Sequence, residues 1–272
     1  MKILLDSLCH WFEGYTDGFL TGNRAQDLPL NVKIEHTFQV RDNMARLADS
    51  LGMAADDRAQ SEIMGLLHDV GRFRQYREYG TFRDGISVDH ARLGLRELGR
   101  QRVLNGLNRR ARAEIAFAIA HHNALALPNH PDPRRMNFAR MLRDADKLDI
   151  WRVFGTYYCG DRQLNATIDL DLADSPGFSP AILDHLRRGR MARLSEVRNR
   201  TDFKLLQVAW IYDLSLPAAF DLLLRQGHLA AITATLPAEP ALTEAVRQAF
   251  AYAAASAKGP APGEGTANGP GL

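Results

Sequence analysis

Apolar residues recur at helical spacing through most of the chain, and no convincing run of alternating apolar and polar residues interrupts them. One segment carries Ile34, Phe38, Met44, Leu47 and Leu51. Most of these positions are three or four residues apart, which is the spacing of one face of an α-helix. The pattern therefore predicts an all-α protein.

The ends of several helices are also predicted by residue type. A second apolar helix is expected to stop at Gly71, a residue suited to the left-handed conformation that closes many helices. A third is expected to begin after Ser87, which is a suitable N-cap. Apolar positions predict further helical turns at Leu93, Leu95 and Leu98, at Ile115 and Ile119, at Phe138, Met141 and Leu142, and from Leu205 through Trp210.

Prolines and glycines mark the breaks between these helices. Residues 127–135 contain Pro128, Pro131 and Pro133 and are predicted to form a loop, because proline cannot continue a helix interior. Another break is expected at residues 175–180. From about Ser256 the chain is rich in Gly, Pro, Ala and Ser, a composition that predicts a disordered tail.

These breaks divide the chain into four predicted parts. They are an N-terminal helical segment (residues 1–30), a central helical domain (31–155), a C-terminal helical extension packed on that domain (156–255) and a disordered tail (256–272). A chain of 272 residues is long enough for one large domain or for a domain with an accessory part.

Composition narrows the class of protein. An apolar fraction of 46% with 24% charged residues is typical of a soluble globular protein. A net charge of +2 predicts no strong field for nucleic acid or anionic lipid. Asp6, His10 and Glu13 interrupt the N-terminal apolar stretch before a signal peptide or membrane span forms. We therefore expect a cytoplasmic protein with no membrane association and no nucleic-acid partner.

Histidines are concentrated in one part of the chain, where residues 36–130 contain six of the nine. His36 shares a helical stripe with Val40 and Leu47, so its imidazole should point into the core. His68 and Asp69 end a strongly apolar helix, where polar groups buried without partners would be costly. These placements call for a partner that the helices themselves do not supply.

Two further polar residues continue inward faces of other helices. His122 extends the face of Ile119, and Asp146 follows Leu142 by one turn. Carboxylates and imidazoles that converge in a helical core are best satisfied by a metal ion, because they supply negative charge and lone pairs. The sequence therefore predicts a metal site.

The order of these motifs resembles the HD superfamily of metal-dependent phosphohydrolases. Residues 35–40 (EHTFQV) carry the first histidine, residues 67–72 (LHDVGR) the His-Asp doublet and residues 144–149 (DADKLD) the late aspartate. The resemblance covers residues 31–150, roughly half of the chain. It implies an HD-domain helical bundle over residues 31–155, with additional C-terminal helices.

Residues 87–91 (SVDHA) and 120–123 (AHHN) resemble the extra histidines of the subgroup that binds two metals. The resemblance implies a first ligand set of His36, His68, Asp69 and Asp146. It implies a second ligand set of Asp69, His90 and His122, with Asp69 bridging. The cofactors would be two divalent ions, with iron or manganese favoured and zinc, nickel or magnesium as further candidates. His121 is a rival to His122, although it shares a face with Phe117.

The reaction implied by the resemblance is hydrolysis of a phosphoester or phosphoanhydride in a nucleotide-like small molecule, through a metal-bridging hydroxide. Asp69, Arg72 and Lys147 are the expected catalytic residues. Arg72 stands where single-metal relatives often carry an acid, and resembles the cation of the His-Asp-x-Gly-Lys pattern. Arg72 and Lys147 would neutralise phosphoryl charge. Alternatively, Arg72 is a helix C-terminal cation and Lys147 a surface ion-pair member.

Other interpretations stay open from the sequence. No Gly-Tyr-Pro segment follows His122, which disfavours cyclic di-GMP as the substrate. A di-iron oxygenase and a non-catalytic module that senses a metal or nucleotide are the alternative functions. Asp144 and Asp149 are expected to be local hydrogen-bonding partners. Residues 72–84 are a candidate cover for the site, or a structured loop with a basic face. The sequence does not indicate the oligomeric state.

Overall fold

Helices account for all the regular secondary structure in the residues that the computed structural model describes, 1–159, 170 and 172–259, beside one isolated bridge between Ala173 and Asn199. The predicted all-α class is therefore confirmed. In chain order the helices are α1 (Lys2–Asp17), α2 (Arg24–Ser50), α3 (Ala55–Leu67), α4 (Val70–Tyr79), α5 (His90–Arg100), α6 (Arg109–His121), α7 (Pro133–Cys159), α8 (Pro180–Arg187), α9 (Arg200–Ala209), α10 (Pro217–Gln226), α11 (His228–Thr233) and α12 (Pro240–Ser256).

Helix α7 organises the packing. It contacts α2, α3 and α6 on one side and the C-terminal helices α10 and α11 on the other. Phe138, Leu142 and Trp151 of this helix are almost fully buried. None of the described helices combines the length and the apolar character that a membrane span requires.

Two of the predicted domain boundaries fall within helices. The boundary at residues 30 and 31 falls inside α2, and the boundary at residues 155 and 156 falls inside α7. Helix α12 ends at Ser256, where the tail was predicted to begin. Most of that predicted tail, residues 260–272, lies outside the described residues.

Helix α2 shows how sequence pattern and burial agree. The side chain of Asn23 caps its start by accepting hydrogen bonds from the backbone amides of Ala25 and Gln26. Val40 and Leu47 are fully buried, and His36 on the same stripe is 2% exposed. The predicted inward orientation of His36 is thus confirmed.

The junction between α3 and α4 differs from the prediction. Helix α3 ends at Leu67, and Gly71 lies in the first turn of α4 without a left-handed conformation, so the predicted C-cap is wrong. A Cβ added to Gly71 would overlap the carbonyl oxygen of His90 and lie 2.6 Å from the backbone nitrogen of Gly94. Glycine is needed here because α4 and α5 approach closely.

Two other helix starts also differ from expectation. Asp89, and not Ser87, caps α5 by accepting a hydrogen bond from the backbone amide of Arg92. Helix α7 already begins at Pro133, so the predicted loop is wrong for its last three residues; proline is well tolerated in a first helical turn, where its missing amide is not needed. The break before Pro180 is confirmed.

We expect Gly71→Ala to lower the free energy of unfolding by about 1–3 kcal/mol, because the added methyl group pushes α5 away from α4. Urea unfolding of metal-free protein measures this. Gly99→Ala is the control: Gly99 likewise lies in a helix, α5, but a Cβ added there meets nothing within 4 Å. It should preserve stability or raise it by up to about 1 kcal/mol. Equal stability of the two variants would contradict the close packing.

Candidate metal centre

The six predicted metal ligands come together from five places in the fold. His36 lies in α2, His68 and Asp69 lie in the junction between α3 and α4, and His90 is the first residue of α5. The other two are His122, directly after α6, and Asp146 in α7. The side chain of Asp146 is 15% exposed, and the other five residues are buried.

The first ligand set surrounds one oxygen of Asp69. The Nε2 atoms of His36 and His68 lie 3.7 and 3.6 Å from Asp69 Oδ2. The same two nitrogens lie 3.1 and 3.7 Å from Asp146 Oδ1. These four side chains therefore point ligand atoms at a common volume.

The second ligand set surrounds the other oxygen of Asp69. His90 Nε2 and His122 Nε2 lie 3.3 and 3.7 Å from Asp69 Oδ1, and 2.9 Å from each other. His68 borders both sets, since its ligand atom also lies within 4.8 Å of those of Asp69 and His122. Asp69 thus presents one oxygen to each set, as a bridging carboxylate would.

The hydrogen bonds of the rings show that these side chains fit a metal. His68 Nδ1 lies 2.7 Å from the carbonyl oxygen of Gly65, and His122 Nδ1 lies 2.8 Å from that of Ile119. A carbonyl only accepts, so each Nδ1 carries a proton, and in the neutral ring that binds a metal the Nε2 lone pair would face the site. His36 Nε2 and His68 Nε2 are buried with no hydrogen-bond partner among the described residues. A metal ion would give both atoms a partner.

The contact between His90 and His122 leads to the same conclusion. His90 Nδ1 lies 2.6 Å from Asp84 Oδ2, which favours a proton on that nitrogen as well. With both rings neutral, two Nε2 lone pairs would then face each other at 2.9 Å. A shared cation removes this repulsion and uses both lone pairs. The second ligand set therefore fits a metal by the chemistry of its donors.

Electrostatics keep the two ligand carboxylates ionised. Burial favours the neutral acid, but the positive charge of Lys33, together with the surrounding imidazole rings, holds the pKa of Asp69 well below its ordinary value. Burial is likewise outweighed at Asp146, where His36 and His68 hold the pKa well below the ordinary value. Ionised carboxylates are the form that binds metal.

The positions of their rings distinguish His121 from His122 as the candidate metal ligand. The ring of His121 packs edge-on against Phe117, with centroids 4.7 Å apart. His122 is 5% exposed and turns its Nε2 to His90 and Asp69. The geometry therefore favours His122 as the ligand.

The two predicted phosphate-binding cations lie beside the ligands. Arg72 hydrogen-bonds to Asp84 Oδ1 at 2.9 Å, and its Nε lies 3.5 Å from Asp69 Oδ1. That Nε is buried with no hydrogen-bond partner among the described residues. Lys147 lies 2.6 Å from Asp213 Oδ2. Arg72 thus has two acidic neighbours, and both cations line the same cavity.

Lys33 and Asp84 also belong to the site, and sequence reasoning did not assign them. Lys33 Nζ lies 2.7 Å from Asp69 Oδ2. It precedes His36 by three residues on α2, so helical spacing was the available signal. Asp84 joins Arg72 to His90, and only the path of the loop after α4 brings it there.

Asp149 and Arg143 support the ligands from outside. Asp149 accepts a hydrogen bond from His36 Nδ1 at 2.7 Å, so the expectation that it is a local hydrogen-bonding partner is confirmed. Asp144 accepts hydrogen bonds from backbone amides at residues 215 and 216, away from the ligands. Arg143 donates to the carbonyl oxygen of His122 at 3.1 Å and thereby anchors the segment after α6.

Five of the six predicted ligands, all except His68, line a cavity of about 980 Å³. Among the described residues, its lining holds more cations than carboxylates, which favours an anionic ligand. The cations are Lys33, Arg72, Arg83, Arg143, Lys147 and Arg193, and the carboxylates are Asp69, Asp84 and Asp146.

The family comparison agrees with this geometry. Residues 34–151 match the family model of the HD domain. This part of the chain is an HD domain, a family whose members are generally metal-dependent phosphohydrolases. The matched segment contains all six predicted ligands. Searches of curated proteins and of solved structures found no significant match.

We expect two divalent ions per chain after anaerobic loading with iron or with manganese. The double variant His90→Ala/His122→Ala should retain about one, because the first ligand set is unchanged. His36→Ala should mainly disturb the first site. Quantitative metal analysis of desalted protein measures this. A wild-type stoichiometry that never exceeds one at saturating metal would contradict the dinuclear assignment.

Asp149→Asn should weaken metal binding by the first ligand set about 10- to 100-fold, because the carboxylate orients His36 and keeps its proton on Nδ1. Metal titration measures the affinity. Glu35→Gln is the matched control: Glu35 also pairs with Arg152, at 2.8 Å, but is 62% exposed. It should bind metal like the wild type. Equal affinity of both variants would show that Asp149 does not position the ligand.

Proposed function

We propose that this protein is a metal-dependent hydrolase that cleaves a phosphoester or phosphoanhydride bond in a small phosphorylated molecule. The HD domain supports the reaction class. The observation that carries the proposal is the arrangement of two ligand sets on opposite oxygens of Asp69, within a cavity whose described lining holds more cations than carboxylates. A nucleotide-like substrate remains the expectation from the sequence.

The ligand sets define what the cofactor would contribute. Two divalent ions held by these residues would polarise a phosphoryl oxygen and lower the pKa of a bound water. Imidazole and carboxylate donors accept iron or manganese, as well as zinc or nickel. The chain's own contribution is to hold Asp69 ionised and to fix the histidine tautomers through Gly65, Ile119 and Asp149.

Arg72 is the residue best placed to contact the phosphoryl group. Its Nε is a buried donor without a hydrogen-bond partner among the described residues, and it lies on the Asp69 Oδ1 side of the site. A guanidinium fork suits phosphate oxygens. Asp84 holds one arm of this fork, so the remaining donors stay in a fixed orientation.

Lys33 and Lys147 supply further positive charge near the scissile bond. Lys33 already lies at hydrogen-bond distance from Asp69, and Lys147 lies one residue after the ligand Asp146. Both line the cavity. Their charges would offset the negative charge that builds up on phosphoryl oxygens during hydrolysis.

A substrate screen tests the proposal. Protein loaded with manganese or, anaerobically, with ferrous iron is incubated with nucleotides, dinucleoside polyphosphates, cyclic dinucleotides and alkyl phosphates. We expect metal-dependent release of phosphate or of a shortened phosphorylated product, and no release by Asp69→Ala. Oxygen consumption by iron-loaded protein without phosphate release would instead support the oxygenase alternative.

Arg72→Ala should keep its metal content while its turnover falls about 10- to 1,000-fold, because the arginine acts on charge that develops in the transition state. Arg72→Lys should recover only part of this loss, since an ammonium lacks the planar fork. Steady-state kinetics with parallel metal analysis measure both effects. Full activity of Arg72→Ala on the true substrate would make its role structural.

A further inference from the structure

The cavity that contains the metal ligands has two chemically different ends. One end carries five of the six predicted ligands, all except the fully buried His68, and the nearby cations. The other is formed by the second half of α7, by α9 and by the segment of residues 191–197. Along α7, Phe154 lies eight residues beyond the ligand Asp146, which corresponds to about 12 Å of helix. The cavity therefore extends well beyond the volume that a phosphate group and two ions occupy.

The described residues of this second end are almost all apolar. Helix α7 contributes Ile150, Val153 and Phe154. The chain from α9 onward contributes Phe203, Leu206 and Trp210. The polar side chains there are Arg193 and Ser195, and both are exposed. We call this part of the lining the apolar chamber.

Exposed apolar side chains also line the cavity. Ile86, Leu125 and Leu194 are 64%, 50% and 49% exposed, and all three line the cavity. They come from three separate segments of the chain. Single exposed apolar residues are common, but several of them in the lining of one cavity favour an apolar ligand.

The chamber fits a hydrocarbon better than a nucleoside. Sites that select a base or a sugar place polar groups against their hydrogen-bonding edges, because an unmatched polar group is costly to bury. Among the described residues, the buried side chains that line the apolar chamber are apolar. A volume of about 980 Å³ is at the upper end of the range for small-molecule sites.

We propose that the substrate is an amphiphilic phosphate ester, whose phosphate binds at the metal ligands and whose alkyl or other hydrocarbon group lies in the apolar chamber. This inference rests on the proposed hydrolase function and narrows its substrate class. It departs from the nucleotide-like substrate expected from the sequence.

Binding of alkylphosphonates tests the chamber separately from catalysis, because the carbon–phosphorus bond resists phosphatase hydrolysis. Calorimetry compares methyl-, butyl- and octylphosphonate, below their aggregation limits, on full-length manganese-loaded protein. Each buried methylene should raise the affinity by up to about fourfold, so octylphosphonate should bind at least about tenfold more tightly than methylphosphonate. Adenosine 5′-monophosphate should bind more weakly than octylphosphonate.

Two variants locate the alkyl chain of the bound phosphonate. Leu194→Ser removes apolar surface at the mouth of the cavity and should reduce the affinity ratio of octyl- to methylphosphonate. Leu51→Ser is the matched control: Leu51 is 47% exposed and lies outside the cavity lining, so the ratio should stay at the wild-type value. Octylphosphonate should also change tryptophan fluorescence in the wild type and in Trp11→Phe, but much less in Trp210→Phe.

The outcomes separate this inference from the proposed function. Equal affinities for methyl- and octylphosphonate, or tighter binding of adenosine 5′-monophosphate than of octylphosphonate, would overturn the amphiphilic substrate even in an active phosphohydrolase. If Leu51→Ser lowered the affinity ratio of octyl- to methylphosphonate as much as Leu194→Ser does, the proposed location of the alkyl chain would be wrong. If affinity rose strongly with alkyl chain length but no phosphate ester in the screen were hydrolysed, the result would support the apolar chamber and overturn the hydrolase function.

Discussion

The charge of the Asp69 carboxylate, buried between two sets of imidazole rings, is the constraint on which the rest of the site depends. A buried charge is tolerated only when it is paired and hydrogen-bonded. Lys33 pairs with Oδ2, and the two ligand sets converge on different oxygens of the same group. The helices of the HD domain are arranged so that every face meeting at this carboxylate carries a complementary polar atom.

That arrangement requires an unusually close approach of two helices. Gly71 follows Asp69 by two residues and lets α4 contact the start of α5, where His90 is the first residue. The loop after α4 brings Asp84 between His90 and Arg72. The contact at Gly71 and this loop together position a predicted ligand, the carboxylate that orients it and the cation proposed to contact phosphate. The apolar chamber adds a second environment next to this polar one, and α7 contributes to both.

Much of the fold and of the ligand set follows from local patterns. The inward stripe of α2 identified His36, and the apolar helix before His68 identified the doublet, because polar residues on buried faces need partners. Helix ends were less predictable. Gly71 was assigned a left-handed cap and Ser87 an N-cap, but tertiary contact between α4 and α5 and the competing cap Asp89 determined these positions.

Sequence by itself determined the all-helical class, the inward faces and the residue types that can hold a metal. Only the tertiary structure decided which ring nitrogen each histidine presents, that Lys33 and Asp84 join the site, and that an apolar chamber adjoins it. The physical reason is that helical periodicity specifies which side of a helix is buried, but not which other helix covers it. The chamber is built from α7, α9 and residues 191–197, and their meeting depends on packing between segments far apart in the chain.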